Sequence, residues 1–181
     1  MARASAFFVI KPFMTADPDA APPAGPADRG GIVEPGARVS GPVYVQAGAR
    51  TESDARVTGP VLVCSCSVIT AGALVRDHSV IGPGCRVGFG AEIPRGLLLA
   101  HVFMKHPGFV GDAVIGRRVN LGAFFSTTGL RCDRGPVAEP AIEEITVTLD
   151  GQRVSTGQTK FGAVLGDETA LPPKPCWRPA P

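Results

Sequence analysis

At 181 residues the chain has the size of one domain with tails, and a formal charge of +2 with no Lys/Arg run longer than Arg117-Arg118 excludes the basic footprint of a nucleic-acid binder. With 23 glycines and 18 prolines it is punctuated too often for long helices, while 44% hydrophobic residues are too many for a disordered protein. The cysteines, Cys64, Cys66, Cys85, Cys132 and Cys176, follow none of the paired spacings of zinc sites, so reduced thiols and a cytoplasmic location are expected.

Residues 1–30 are rich in Ala and Pro and read as a flexible leader. Their apolar run, residues 6–10, is cut off by Lys11-Pro12 and is too short for a signal peptide or a bilayer span, so no membrane partner is expected.

From Val33 a six-residue period takes over: Val33, Val39, Val45, Thr51, Val57, Val63, Ile69, Val75, Ile81, Val87, Ile93 and Leu99, aliphatic throughout except at Thr51. A second row, Ala37, Val43, Ala49, Ala55, Val61, Ser67, Ala73, Ser79, Cys85 and Ala91, is small or β-branched. A period of six fits neither a helix nor a single strand. It predicts an all-β solenoid in which each hexad makes one short strand and one turn, and three hexads close a triangular coil of 18 residues. Ser40-Gly41-Pro42-Val43 recurs one coil later as Thr58-Gly59-Pro60-Val61, which places Gly41 and Gly59 in the same corner.

After Leu99 the six-step lands on Lys105, which cannot sit in a dry column. Phe103, Phe109, Ile115 and Leu121 restore the period in a phase shifted by two, which predicts a break within residues 97–103. Irregular coils are where side chains are aimed outward for chemistry, and His101, Lys105 and His106 lie beside this one. Residues 130–158 carry no hexads and read as an extruded loop. Within it, residues 144–149 and 152–155 form a predicted hairpin about Asp150-Gly151, a type I′ turn pair. Hexads resume at Leu165 and Leu171, and the Pro-rich residues 172–181 cannot continue a ladder.

The run GDAVIGRRVNLGA at 111–123, with His106 and Phe109 upstream and STGQTKFGAVLGD at 155–167 downstream, carries a more specific signal. It resembles the acetyltransferase domain of the bifunctional sugar-1-phosphate nucleotidylyltransferase/acetyltransferases, of the N-acetylglucosamine-1-phosphate uridyltransferase type, over about residues 31–170. Thirty leading residues leave no room for a nucleotidylyltransferase domain, so the acyl-transfer half alone is expected. The resemblance implies a left-handed parallel β-helix of about six coils over 31–171, assembled as a homotrimer. It also implies transfer of an acyl group, acetyl by analogy, from a CoA thioester to the amino group of a sugar phosphate or nucleotide sugar. His106 then matches the general base, Phe109 the aromatic lining the sugar pocket, and Asn120 a ligand of the sugar phosphate or its amide. Lys160 matches the basic residue that meets the phosphate, with Lys105 beside the acceptor and Ala123 and Ser126 on the acetyl-CoA side. These residue types suit such a reaction, since an imidazole of ordinary pKa near 6.5 can deprotonate an amine and a lysine offers a point charge to phosphate.

Departures from the pattern fall on the donor side. Phe124 and Phe125 stand where that family has small residues, Gly129 lies near the place of its Asn, and 14 residues follow Asp167 where the family continues with further coils. A second reading therefore stays open, a non-catalytic solenoid that binds a sugar phosphate or serves in an assembly. A third is a zinc site between subunits, drawing on His78, His101 and His106, as in trimeric γ-class carbonic anhydrases. The 23-residue gap between His78 and His101 argues against it, and no metal is expected. Asn120 also suits a turn, and Lys160 a plain surface charge.

Overall fold

The six-residue period builds a three-sided prism. The structure, a computed structural model, describes residues 27–127, 129 and 144–173. Parallel strands stack into three sheets, one per face, and the solenoid is a left-handed parallel β-helix. The first face takes Ala27–Arg29, Val43–Gln46, Val61–Val63, Ser79–Ile81, Leu97–Leu98, Val114–Ile115 and Val164–Leu165. The second takes Ile32–Val33, Arg50–Thr51, Val68–Ile69, Arg86–Val87, Phe103–Met104, Asn120–Leu121 and Ala170–Leu171. The third takes Arg38–Ser40, Arg56–Thr58, Leu74–Arg76, Ala91–Pro94 and Gly108–Phe109, extended by an isolated bridge from Phe109 to Ser126. The earliest strand thus lies inside the stretch read as leader; residues 1–26 and most of the tail fall outside the described residues. No described helix is long and apolar enough to cross a membrane.

One column of buried side chains runs inside each face: Val45, Val63, Ile81, Leu98 and Ile115 on the first, Thr51, Ile69, Val87, Met104 and Leu121 on the second, Val57, Val75, Ile93 and Val110 on the third. Each fully buried aliphatic contributes about 1.5–3 kcal/mol before the entropy of ordering is subtracted. Polar members of the small-residue row are accommodated by hydrogen bonds to the coil backbone. The Ser67 hydroxyl donates to the Gly82 carbonyl at 2.6 Å and accepts from the Cys85 N–H at 3.0 Å. The Ser79 hydroxyl accepts from the Gly96 N–H at 3.1 Å. The Cys85 thiol donates to the Leu99 carbonyl at 2.9 Å, and burial pushes its pKa up to about 11.

The break in the period differs from the sequence expectation. Leu98, Met104 and Val110 point inward, while Leu99, Phe103 and Phe109 are half-buried on the outside. Two corners are each one residue short, between Ile93 and Leu98 and between Val110 and Ile115, so the ladder offset falls from 18 (Val63 to Ile81) to 17 (Ile81 to Leu98). Two one-residue losses give the same final phase as the single two-residue slip expected, which is why Ile115 and Leu121 are inward in both accounts. The first shortened corner runs through Arg95, at φ +49, into Gly96, where an added Cβ would stand 2.6 Å from the Ile93 side chain.

Between Leu121 and Val164 the chain leaves the prism and returns. Val114 pairs with Val164 and Asn120 with Ala170, so the ladder closes across the excursion. The described part of the excursion carries an antiparallel hairpin, Thr146–Leu149 with Gln152–Ser155. Its turn has Asp150 at φ +50 and Gly151 at φ +79, the two positive values a type I′ turn requires.

Candidate functional site

His106 sits on the edge between the second and third faces, in the corner between the Phe103–Met104 and Gly108–Phe109 strands. A cleft of about 230 Å³ opens there, lined by Lys105, His106, Asn120 and Ala123 together with Leu121, Gly122 and Pro173. Four of the residues singled out in the sequence therefore meet at one place. The ladder is the cause: Phe103 pairs with Asn120, which sets Lys105 and His106 one rung below Gly122 and Ala123. Lys105, His106 and Asn120 are exposed, and the Lys105 ammonium lies 4.9 Å from the centroid of the Phe103 ring.

Lower on this edge the corner N–H groups are occupied. Those of Ser53 and Ala71 donate to the carboxylates of Glu34 and Glu52 at 3.0 and 3.2 Å. Higher up, the row that supplies those carboxylates reads Thr70, Gly88, Lys105 and Gly122, and no carboxylate caps the N–H of Phe89, His106 or Ala123 among the described residues. Uncapped N–H groups beside a cation and an imidazole suit a site where negative charge develops.

Phe109 lies on the outside of the third face, its ring against Gly111, where a Cβ would come within 2.6 Å of Cε1. Ser126 bridges to it on that face, and neither residue lines the cleft. The two phenylalanines that follow Ala123 divide the work. Phe125 packs against the core, and Phe124, at φ +61 and 61% exposed, stands on the edge itself.

Lys160 is elsewhere in the single chain. It neighbours Gly129 and Asp112 on the edge between the third and first faces, so the width of the third face separates it from His106. That edge carries a charge network which sequence reasoning missed. Asp112 is held by Arg95 through two contacts, Oδ1 to Nε at 2.5 Å and Oδ2 to Nη2 at 3.0 Å, and the pairing raises the Arg95 pKa further above its ordinary value. Arg76 meets Glu92 at 2.7 and 3.1 Å and also contacts Asp77. The partners Arg95 and Asp112 are 17 residues apart and Arg76 and Glu92 are 16 apart, close to one coil, so opposite charges repeated at coil spacing were the available signal. Asp112 also anchors the excursion: its carbonyl accepts the Gly162 N–H at 2.8 Å, while the Phe161 N–H donates to the Gly129 carbonyl at 2.9 Å.

The histidines fall on three different edges: His78 at the corner after Leu74–Arg76, His101 after Leu97–Leu98 and His106 after Phe103–Met104. Within one chain that separation keeps the three histidines apart, and no group of three candidate ligands exists among the described residues.

No family model matches the chain. Among curated proteins, a bifunctional sugar-1-phosphate nucleotidylyltransferase/acetyltransferase of Sulfurisphaera tokodaii is 28% identical over 136 residues, covering 75% of this chain and 32% of the relative. The bifunctional protein GlmU of Methanococcus vannielii is 33% identical over 137 residues, covering 76% of this chain and 31% of the relative. The chain is homologous to these proteins. It spans about a third of the length of the relatives it matches. Among solved structures, a variant of GDP-perosamine N-acetyl transferase from Caulobacter crescentus, in complex with CoA and GDP-perosamine, aligns with a TM-score of 0.51 at 18% identity, over 54% of this chain and 47% of that one. At that identity the likeness shows the shared β-helix fold.

Proposed function

We propose that the protein transfers an acyl group from a CoA thioester to the amino group of a sugar phosphate or nucleotide sugar at the His106 cleft. The observation that carries this reading is the convergence of Lys105, His106, Asn120 and Ala123 on one open edge. The name of one curated relative, a bifunctional sugar-1-phosphate nucleotidylyltransferase/acetyltransferase, supports the same chemistry.

In this mechanism the acceptor ammonium first loses a proton to water, and the free amine attacks the thioester carbonyl while the His106 imidazole takes the proton that the attacking nitrogen must shed. The oxyanion of the tetrahedral intermediate is met by the uncapped N–H of Ala123, with the Lys105 ammonium adding positive potential. Collapse breaks the C–S bond, and the imidazolium returns its proton to the departing thiolate. The Asn120 amide orients the acceptor through its donor and acceptor groups, Phe109 bounds the sugar and Ser126 the acyl side. Lys160 meets the acceptor phosphate only if another subunit presents it.

A homotrimer belongs to this reading, because the cleft is open to water and a neighbouring copy would close it. The outward row Tyr44, Leu62, Val80, Leu97, Val114 and Val164 on the first face offers an apolar surface for such packing. A cytoplasmic location goes with a CoA-dependent reaction. The test is turnover of amino-sugar phosphates and amino-sugar nucleotides with acetyl-CoA: His106→Ala should lower kcat about 10²–10⁴-fold while leaving the fold intact. Acceptor binding without any turnover would favour the binding solenoid instead.

A further inference from the structure

A second cleft opens on the edge that carries His106, nearer the start of the solenoid, and the chemistry above uses none of its residues. It measures about 250 Å³ and is lined by Arg38, Asp54, Arg56, Gly72, Ala73 and Leu74. Arg38 and Arg56 are direct ladder partners on the third face, so two cationic side chains start from backbone positions about 4.8 Å apart. Neither forms an ion pair with a described carboxylate. Arg76, further along the same face, Arg95 in the corner at its far edge and Arg50 on the second face are paired. Like charges directly opposite in a ladder are destabilising, and an anion lying between them removes that cost.

An aromatic ring stands beside the cleft, against Gly72 of its lining. Phe89 occupies the corner one coil below His106, is 69% exposed, and lies so close to Gly72 that a Cβ there would stand 2.4 Å from its Cδ2. Gly72 is also at φ +75, so a side chain there would be strained by the backbone as well as crowded by the ring. An exposed aromatic beside a cleft that holds two arginines without ion pairs and a carboxylate combines a stacking surface, phosphate donors and an acceptor for hydroxyl groups.

We propose that this cleft binds the phosphorylated nucleoside end of a substrate, with the base on Phe89, the ribose hydroxyls toward Asp54 and a phosphate between Arg38 and Arg56. The proposal rests on the acyl-transfer reading only for the identity of the molecule. Gly72 is two rungs and Arg38 four rungs from His106, a separation of about 10–19 Å along the edge, which suits a ligand with its nucleotide here and its reacting group at the imidazole. Both the CoA donor and a nucleotide-sugar acceptor end in this chemistry.

Calorimetric titration of the full chain with adenosine 3′,5′-bisphosphate, UDP and GDP tests it. At least one should bind, with Arg38→Gln and Arg56→Gln each weakening binding about tenfold to a hundredfold. Phe89→Ser should weaken it and Phe89→Trp restore it, while Arg86→Gln on the second face leaves it unchanged. Binding of the bisphosphate alone assigns the cleft to the thioester donor, and binding of UDP or GDP alone assigns it to the acceptor; either supports the proposal. No binding in any arm, binding indifferent to both arginine variants, or loss on Lys105→Ala instead overturns it. Inorganic phosphate binding as tightly as the nucleotides overturns the nucleoside assignment. Thermal unfolding of each variant separates lost binding from lost fold. Because binding is read without turnover, an inactive protein that still binds through its arginines loses the acyl-transfer reading and keeps this one, and the reverse outcome is equally visible.

Discussion

Thr51 is the polar member of an otherwise apolar column, and replacing it tests whether the prism is dry. It stands between Val33 and Ile69 on the second face, is fully buried, and its hydroxyl has no hydrogen-bond partner. A buried hydroxyl without a partner costs about 1–3 kcal/mol relative to water. Thr51→Val keeps the β-branched shape and removes that cost, so the variant should be more stable by about 1–2 kcal/mol. For a chain of this size the thermal midpoint should rise by about 2–4 °C for each kcal/mol. Equilibrium urea unfolding followed by far-ultraviolet circular dichroism is the assay, with a second probe because stacked coils need not unfold in one step. Thr51→Ser, which keeps the hydroxyl and loses the methyl, should be destabilised. A neutral or destabilising Thr51→Val would mean that water or an unrecognised partner serves the hydroxyl, and the dry-column account of the fold would fail.

Cys85 gives a pH-dependent prediction. Its thiol titrates near 11 rather than at the ordinary value of 9.0, so the folded state holds its proton more tightly than the unfolded state. Stability from this group is therefore complete below pH 9 and is lost as pH rises from about 9 toward 11; Cys85→Ala should flatten that part of the stability profile. Alkylation at about pH 8 with peptide mapping should find the exposed Cys66 modified and Cys85 spared until the protein unfolds. Arg95→Met should leave the Asp112 carboxylate without its partner at a site where only 10% of that side chain is exposed. Hydrogen exchange at the Phe161 and Gly162 amides should accelerate while exchange at Val57 and Val75 stays slow; equal acceleration everywhere would mean that the pair holds up the whole prism.

Much of this was legible in the sequence because a solenoid repeats its environment. Every rung asks the same question of its inward position, so Val33 through Ile93 announced the columns without any long-range information. The Asp150-Gly151 pair announced its hairpin for the local reason that few residues accept two positive φ values. The shortened corners were harder. A corner that loses one residue leaves the same apolar letters on either side, and Leu98 and Leu99, or Phe103 and Met104, are equally good candidates until the backbone is closed. In the cleft, Lys105, His106, Asn120 and Ala123 were legible because they lie within about one coil of each other along the chain. Lys160 was not, since its place depends on how a long excursion re-enters the prism, and the pairing of Arg95 with Asp112 at that re-entry has no short-range signature. Arg38 and Arg56 carry no motif, and their lack of ion-pair partners is visible only once the coils are stacked.

Val164 completes the rung begun at Val114, as though the residues between them did not exist. Closing a longer detour costs only a slowly growing entropy, so the prism tolerates lengthening or trimming of that detour with little change in its own stability. Natural or engineered variation can therefore act on the appendage while the rows beneath stay in register. An added module at the Asp150-Gly151 tip would hang from a scaffold that does not register its weight.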